Sequence, residues 1–282
     1  MILVLGASGH IGVPLVEQLA ARGARFRAGY RSAERAESAR RMGVDAVPLD
    51  YLDPASLDRA MAGVERVFLV APPVEDLARL ERGVVEAARR AGVGHLVKAS
   101  VWGARTEDFI FGRPHRIMEE EIERSGLAWT FLQPNGFMQN LLNFAGLIRQ
   151  SGVFPFPDGG RVSWIDTRDI GRVAAAILTG GGHEGRSYEL SGPEALDYGD
   201  QMRIVAEVAG RPYAHVAVPD EEWRRSALGA GLPEYLVHAL VDLQVLQRRG
   251  VCERTTGTVE RLTGSPPTPF RRFAEDHADA FR

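Results

Sequence analysis

Three glycines at a spacing of three open the chain's chemistry: residues 6–12 read Gly6-Ala7-Ser8-Gly9-His10-Ile11-Gly12. Glycine at the first position permits a tight turn, at the second lets backbone N–H groups approach a charged oxygen, and at the third lets a helix pack close to a strand. The chemistry this implies is a pyrophosphate held at a helix N-terminus. A tight strand–helix turn with no ligand is the plainer alternative. Placement favours the phosphate cradle: the apolar run Ile2–Leu5 leads in, and an amphipathic pattern (Val13, Leu15, Val16, Leu19) leads out.

Arg31 carries the next signal. About 20 residues past such glycines, a binder of NAD places an acid that accepts from the ribose 2′-hydroxyl. Here the second strand ends Ala28-Gly29-Tyr30-Arg31-Ser32. A guanidinium at that place suits a 2′-phosphate by charge and by bidentate geometry, which points to NADP(H), with Arg35 able to assist. Asp50, at the end of the third strand, can accept from an adenine amino group or cap the next helix, a role Asp53 fills better. Ala71-Pro72-Pro73 after the fourth strand stiffens a loop, and a structural turn explains it nearly as well.

Hydride transfer needs an acceptor flat against the nicotinamide and a proton source; the hydride chemistry is the cofactor's and the orientation the protein's. His115 follows Pro114 at a predicted helix start on the strand-end side of a sheet. A helix N-terminus disfavours imidazolium, so the ring is expected neutral, a donor more than a strong acid. A solvated helix-start histidine reads equally well. Ser100 and Lys98 end the fifth strand and can face the nicotinamide, although for Lys98, the chain's one lysine, a structural ion pair is the better reading. Trp102 and Phe109, with Phe154 and Phe156, are candidates for a stacking wall. Gln139 and Asn140 would supply polar contacts to a substrate. Glu119–Glu121 and Glu123 read as a solvated face, and Asp166–Asp169 as a cap with a salt bridge.

The elements that must position these groups alternate. Strand candidates are Ile2–Leu5, Phe26–Tyr30, Ala46–Leu49, Val67–Val70, Leu96–Ala99 and Ala128–Leu132. Between them lie amphipathic stretches at 12–22, 33–42, 54–62, 76–91 and 114–125. The pattern predicts an α/β fold, a Rossmann-type doubly wound parallel sheet over residues 1–133. Residues 134–282 predict a smaller, mostly helical substrate lobe, with segments such as 160–190 returning to the sheet. Helices are expected at 137–149, 167–178, 199–208, 220–229, 233–248 and 269–280, with short strands at Arg186–Leu190 and His215–Val218.

Composition narrows the rest. The 282 residues, 45% hydrophobic and 25% charged with net charge −3, suit a globular domain. The 33 arginines are dispersed, so no nucleic-acid stripe is expected. No apolar run reaches the length of a membrane span. Met1 leads straight into a strand, so no signal peptide is expected and a cytoplasmic protein follows. A lone cysteine, Cys252, and seven histidines without ligand spacing predict no metal site.

The segments GASGHIG, GYRS, LDYLDPASL, VFLVAPP, LVKASVWGA, RPHRIMEEEIERSGLAWTFLQPNGFMQNLL and WIDTRDIGRVAAAIL, in this order, resemble the NmrA-like branch of atypical short-chain dehydrogenases/reductases. The resemblance covers nearly the whole chain and is nearest to the quinone and azo-dye reductases of that branch. It implies an NADPH site formed by Gly6 to Gly12 and Arg31, with Ala71, Pro72 and Pro73 near the ribose and nicotinamide. It adds Asn135, Gly136 and Phe137, the last group also bordering substrate. One departure matters: the Tyr-x-x-x-Lys pair of ordinary short-chain dehydrogenases is absent. His115 stands where related phenylpropanoid reductases begin a helix with lysine. The expected activity is NADPH-dependent reduction of a flat conjugated acceptor: a quinone, enone or polycyclic aromatic ketone. A non-catalytic NADP(H)-sensing regulator and a secondary-metabolite ketoreductase or cyclase are the alternatives. The expected assembly is a monomer or homodimer.

Overall fold

Short runs rich in leucine and valine alternate with amphipathic stretches, and in the computed structural model, which describes all 282 residues, they become strands and helices. The strands are β1 (Ile2–Val4), β2 (Phe26–Tyr30), β3 (Ala46–Pro48), β4 (Arg66–Leu69), β5 (His95–Ala99), β6 (Trp129–Pro134), β7 (Val153–Phe156), β8 (Arg186–Leu190) and β9 (Ala214–Ala217). Helices α1 (Gly12–Ala21), α2 (Ala33–Arg41), α3 (Pro54–Met61), α4 (Leu77–Arg90) and α5 (Gly112–Arg124) connect the first six strands. Then come α6 (Ala145–Ser151), α7 (Thr167–Thr179), α8 (Tyr198–Ala209), α9 (Asp220–Gly229), α10 (Glu234–Arg248), α11 (Thr258–Thr263), α12 (Phe270–Asp276) and α13 (Ala278–Phe281).

Seven strands form one sheet in the order β3-β2-β1-β4-β5-β6-β8, with the first six paired in parallel. The order reverses between β1 and β4, the switch point of a Rossmann-type doubly wound fold, where ligands bind at the strands' carboxyl ends. Both faces are covered, so the central strands are apolar on both sides. Leu3, Leu5, Val67, Leu69, Leu96 and Phe131 pack against Leu57, Met61, Val84, Val85, Met118 and Ile122 of α3, α4 and α5. On the other face α1 meets α7 closely, because a Cβ on Gly171 would stand only 2.9 Å from the Leu15 nitrogen.

The chain divides into two compact units. One comprises Met1–Arg105, Arg113–Gln133 and Thr167–Tyr188; the other comprises Thr106–Gly112, Pro134–Asp166 and Glu189–Arg282. The second unit is mostly helical, with β7 and β9 paired in parallel as a small sheet. Its core is aromatic: Phe154 and Phe156 stack at 5.2 Å, with Phe144, Tyr198 and Trp223 around them.

Three local differences from the sequence reading have physical causes. The expected helix over 137–149 starts as a 3-10 turn, Met138–Phe144, before α6. Its Asn140 and Asn143 offer side-chain competitors for backbone bonds. β7 was hidden by Pro155, a residue that argues against a strand interior. The stretch 269–280 breaks at His277, whose φ of −114° lies outside the helical range. No helix is long and apolar enough to cross a membrane.

Candidate active site

The loop after β1 is built by its glycines. Gly6 adopts φ +64°, where a side chain is strained, and a Cβ on Gly12 would lie 2.0 Å from the Gly6 carbonyl oxygen. The Gly9 N–H donates back to Gly6 O at 2.9 Å, which closes the turn. The N–H groups of Ser8, His10 and Ile11 find no acceptor in the chain, and Ser8 and His10 are exposed. Orphan amides at the start of a ten-residue helix fit a phosphate's oxygens.

Arg31 follows β2 and is exposed; its guanidinium makes no ion pair, nor does that of Arg35. Ser32 caps α2 by accepting from Arg35 N at 3.3 Å. Two uncommitted guanidinium groups at a helix start fit a 2′-phosphate. Asp50, exposed after β3, accepts from Leu52 N at 2.9 Å through one oxygen, and Asp53 caps α3. Ala71 is half-buried and Pro72 and Pro73 exposed just past β4, where Val74 N closes a turn on Pro72 O. Together these groups follow successive strands along one edge of the sheet.

The fifth strand and α5 hold a buried polar cluster. Lys98 is fully enclosed and donates to both carboxylate oxygens of Glu81 on α4, at 2.6 and 2.5 Å. It also lies 3.0 Å from Nδ1 of His115. An ammonium has no lone pair, so Nδ1 must accept and the imidazole carries its proton on Nε2. Nε2 has no partner in the chain and is not among the enclosed orphan atoms, so it forms the ring's open edge. Burial first, and then the Lys98 charge, hold the His115 pKa well below the usual histidine range. Burial raises the Glu81 carboxyl, against the pull of Lys98. The expectation of a neutral His115 therefore has a different cause from the helix N-terminus.

Ser100 donates to Glu119 at 2.5 Å, so its proton is committed. Glu119 also accepts from Gln133 at 2.9 Å and Arg105 at 2.8 Å. The solvated acidic face is corrected here, because Glu119 is 0% exposed. It lies one turn beyond His115, on the stripe with Met118 and Ile122 that faces the sheet. Its charge is tolerated because three donors satisfy it.

In the second unit, Asn135 spends its whole side chain internally. Its Nδ2 donates to Ser163 Oγ and Cys252 O, both at 2.8 Å, and its Oδ1 accepts from Gly136 N. Gly136 is required by the Trp164 ring, 2.6 Å from where a Cβ would stand. Gln139 donates to Asp166 at 2.8 Å; Phe137 is half-buried and Asn140 exposed. Trp102, in the first unit, and Phe109, in the second, are 5% and 3% exposed. Phe154 and Phe156 do not form a stacking wall: they are the second unit's core, 2% and 3% exposed. Cys252 is buried, and that burial pushes its thiol up to about 12.

Sequence reading missed Glu81 and the inward Glu119. The signal for Glu81 was present: it shares an i, i+4 stripe with Leu77, Val84, Val85 and Ala88, and a carboxylate on an apolar stripe demands a buried cation.

A doubly wound sheet with a glycine cradle at its switch point and free guanidinium groups after its second strand defines a Rossmann-type dinucleotide domain. The chain belongs to the NmrA-like family, whose model matches residues 1–259. It is 38% identical to an NAD(P)H azoreductase of Xenophilus azovorans over 283 residues, covering all of this chain and 99% of the relative. It is 41% identical to the (4-alkanoyl-5-oxo-2,5-dihydrofuran-3-yl)methyl phosphate reductase of Streptomyces griseus, covering 100% and 99% of the two chains. Among solved structures, the NADPH-dependent quinone oxidoreductase of Escherichia coli complexed with NADPH superposes with a TM-score of 0.90 at 26% identity, over 98% of this chain and 99% of the other.

Proposed function

We propose that this protein reduces a flat, conjugated acceptor, a quinone, an enone or a polycyclic aromatic ketone, with hydride from NADPH, that the His115 Nε2–H donates a hydrogen bond to the developing anion, and that the accompanying proton comes from His115 or water. The chain is an NAD(P)H-dependent oxidoreductase of the atypical short-chain type and uses NADP(H). When bound, the nicotinamide supplies the hydride. Gly6 to Gly12 would hold the pyrophosphate, Arg31 with Arg35 the 2′-phosphate, and Asp50 the adenine. Ala71 to Pro73 and Asn135 to Phe137 are assigned beside the ribose and nicotinamide. Trp102, Phe109, Phe137, Gln139 and Asn140 are assigned to the acceptor.

The observation that carries the acceptor class is the state of the proton donors. Lys98 is locked to Glu81, Ser100 gives its proton to Glu119, and the one donor edge left is a neutral imidazole. A neutral Nε2–H is a weak acid. It can hydrogen-bond a developing anion, and that is enough only for an acceptor whose anion spreads its own charge and can take its proton afterwards from water. Quinones, enones and azo groups do this, and an isolated ketone does not.

The test is anaerobic stopped-flow loss of nicotinamide absorbance with NADPH and a panel of quinones, azo dyes, enones and simple ketones. We expect turnover with the conjugated acceptors and none with the simple ketones. His115→Ala, which removes the donor, should slow single turnover by about tenfold or more. Fast reduction of plain ketones, or an unaltered rate in His115→Ala, would remove the reading. Activity confined to an oxo-dihydrofuranyl methyl phosphate would instead favour a narrow biosynthetic role.

A further inference from the structure

Glu81 is a fully enclosed carboxylate that the reaction above leaves without a task. A buried ion pair is a poor source of stability, since a well-packed apolar pair of the same volume commonly does as well or better. Lys98 nevertheless has a third contact. Two of its protons meet Glu81 at 2.6 and 2.5 Å, and the ammonium stands 3.0 Å from His115 Nδ1, with only a longer 3.3 Å contact to its neighbour's carbonyl, Ala99 O.

We propose that Glu81 is a positioning residue: it keeps Lys98 an ammonium, and the ammonium in turn locks His115 as the Nε2–H tautomer with its donor edge outward. This rests on the reading of His115 as the donor to the acceptor. A neutral lysine amine could either donate or accept, and either imidazole tautomer would then satisfy it. An ammonium permits only one. Without Glu81 the enclosed cation has no counter-charge, and burial drives it toward the neutral amine. The other ionisable groups around the pair do not compete for the imidazole. Glu119, on α5, acts on Glu81 only at a distance and is held by Ser100, Gln133 and Arg105. The Tyr51 hydroxyl donates to Val70 O at 2.8 Å.

The experiment is heteronuclear NMR on the full-length protein with isotopically labelled histidine, the His115 signals being assigned by their loss in His115→Gln. We expect a single Nε2–H pattern for His115 between about pH 8 and about pH 5.5. In Glu81→Gln we expect a mixture of tautomers that grows as pH rises. Turnover should fall about twofold or more at high pH, in step with the Nε2–H fraction lost, and recover toward low pH. Glu81→Asp should restore part of the single-tautomer pattern. An Nδ1–H pattern in the unmodified protein overturns the proposal, as does a Glu81→Gln spectrum and pH profile matching the unmodified ones. Should Glu81→Gln fail to fold, the double variant Glu81→Leu/Lys98→Met removes both charges at similar volume. A mixed pattern there supports the proposal, and a persistent single Nε2–H pattern overturns it. The spectrum judges the positioning by itself, whereas the His115→Ala rate judges the donor reading, so the two failures are separable.

Discussion

Arg31 is informative for what it lacks: most arginines of this chain are tied to carboxylates or carbonyls, and this one is not. A charge-assisted, bidentate bond to a phosphate contributes about 1.5–3 kcal/mol, or roughly tenfold to a hundredfold in affinity. Arg31→Ala should therefore weaken NADPH binding by about that factor in titration calorimetry and leave NADH binding nearly unchanged. Equal losses for both would refute the 2′-phosphate assignment. The place of Arg31 after the second strand was legible in the sequence because the fold fixes it. His115 was legible as a candidate but its electrostatics were not. The groups that keep its ring neutral and oriented, Lys98 and Glu81, lie on two other elements, and only packing joins them. Glu119 was misread for the opposite reason. Acidic runs usually face water, and nothing local in Glu119-Glu120-Glu121 tells which member turns inward to meet Arg105, Ser100 and Gln133.

Among the elements, the junction of β1 and α1 is the one with least tolerance. The Gly12 Cβ position lies 2.0 Å from a backbone oxygen that cannot move without opening the turn. Gly12→Ala should thus destabilise by about 1–3 kcal/mol or more and weaken cofactor binding together with it. A suitable contrast is Gly146, exposed in α6 with nothing within 4 Å of a Cβ. There alanine should stabilise by up to about 1 kcal/mol, from helix propensity alone. Thermal denaturation of the two variants distinguishes them, and an unchanged midpoint for Gly12→Ala would contradict the close approach. The alternation of strands and helices through β6 was readable because long apolar periodicities override local noise. The four-residue β7, broken by Pro155, and the six-residue α11 were not, since neither spans enough residues to show a period.

Across the whole molecule, stability must depend on pH through groups whose pKa differs between folded and unfolded chains. Burial lowers His115, and burial is also the first cause at His95, which sits 2.8 Å from Thr130 Oγ1. A histidine depressed in the folded state stays neutral there while the unfolded chain takes a proton near pH 6.5. Stability is therefore full above about pH 7 and falls as pH drops below about 6.5, by up to about 1.4 kcal/mol per pH unit for each such ring. Glu81 works the other way, because its raised carboxyl binds a proton earlier in the folded chain and softens the loss at more acidic pH. The melting midpoint should decline between about pH 7 and about pH 5.5, and less steeply in His115→Gln. A flat profile would show that these rings are not held neutral by the fold. The enclosure of the chain's one thiol and one lysine has a last effect. Quinones and enones arylate or alkylate accessible sulfur and amine nucleophiles. With Cys252 shut in and protonated and Lys98 clamped in its ion pair, neither is left to react, and exposed imidazoles such as that of His10 are slower nucleophiles than a thiolate. Such a catalyst resists covalent poisoning by the very electrophiles it is proposed to consume.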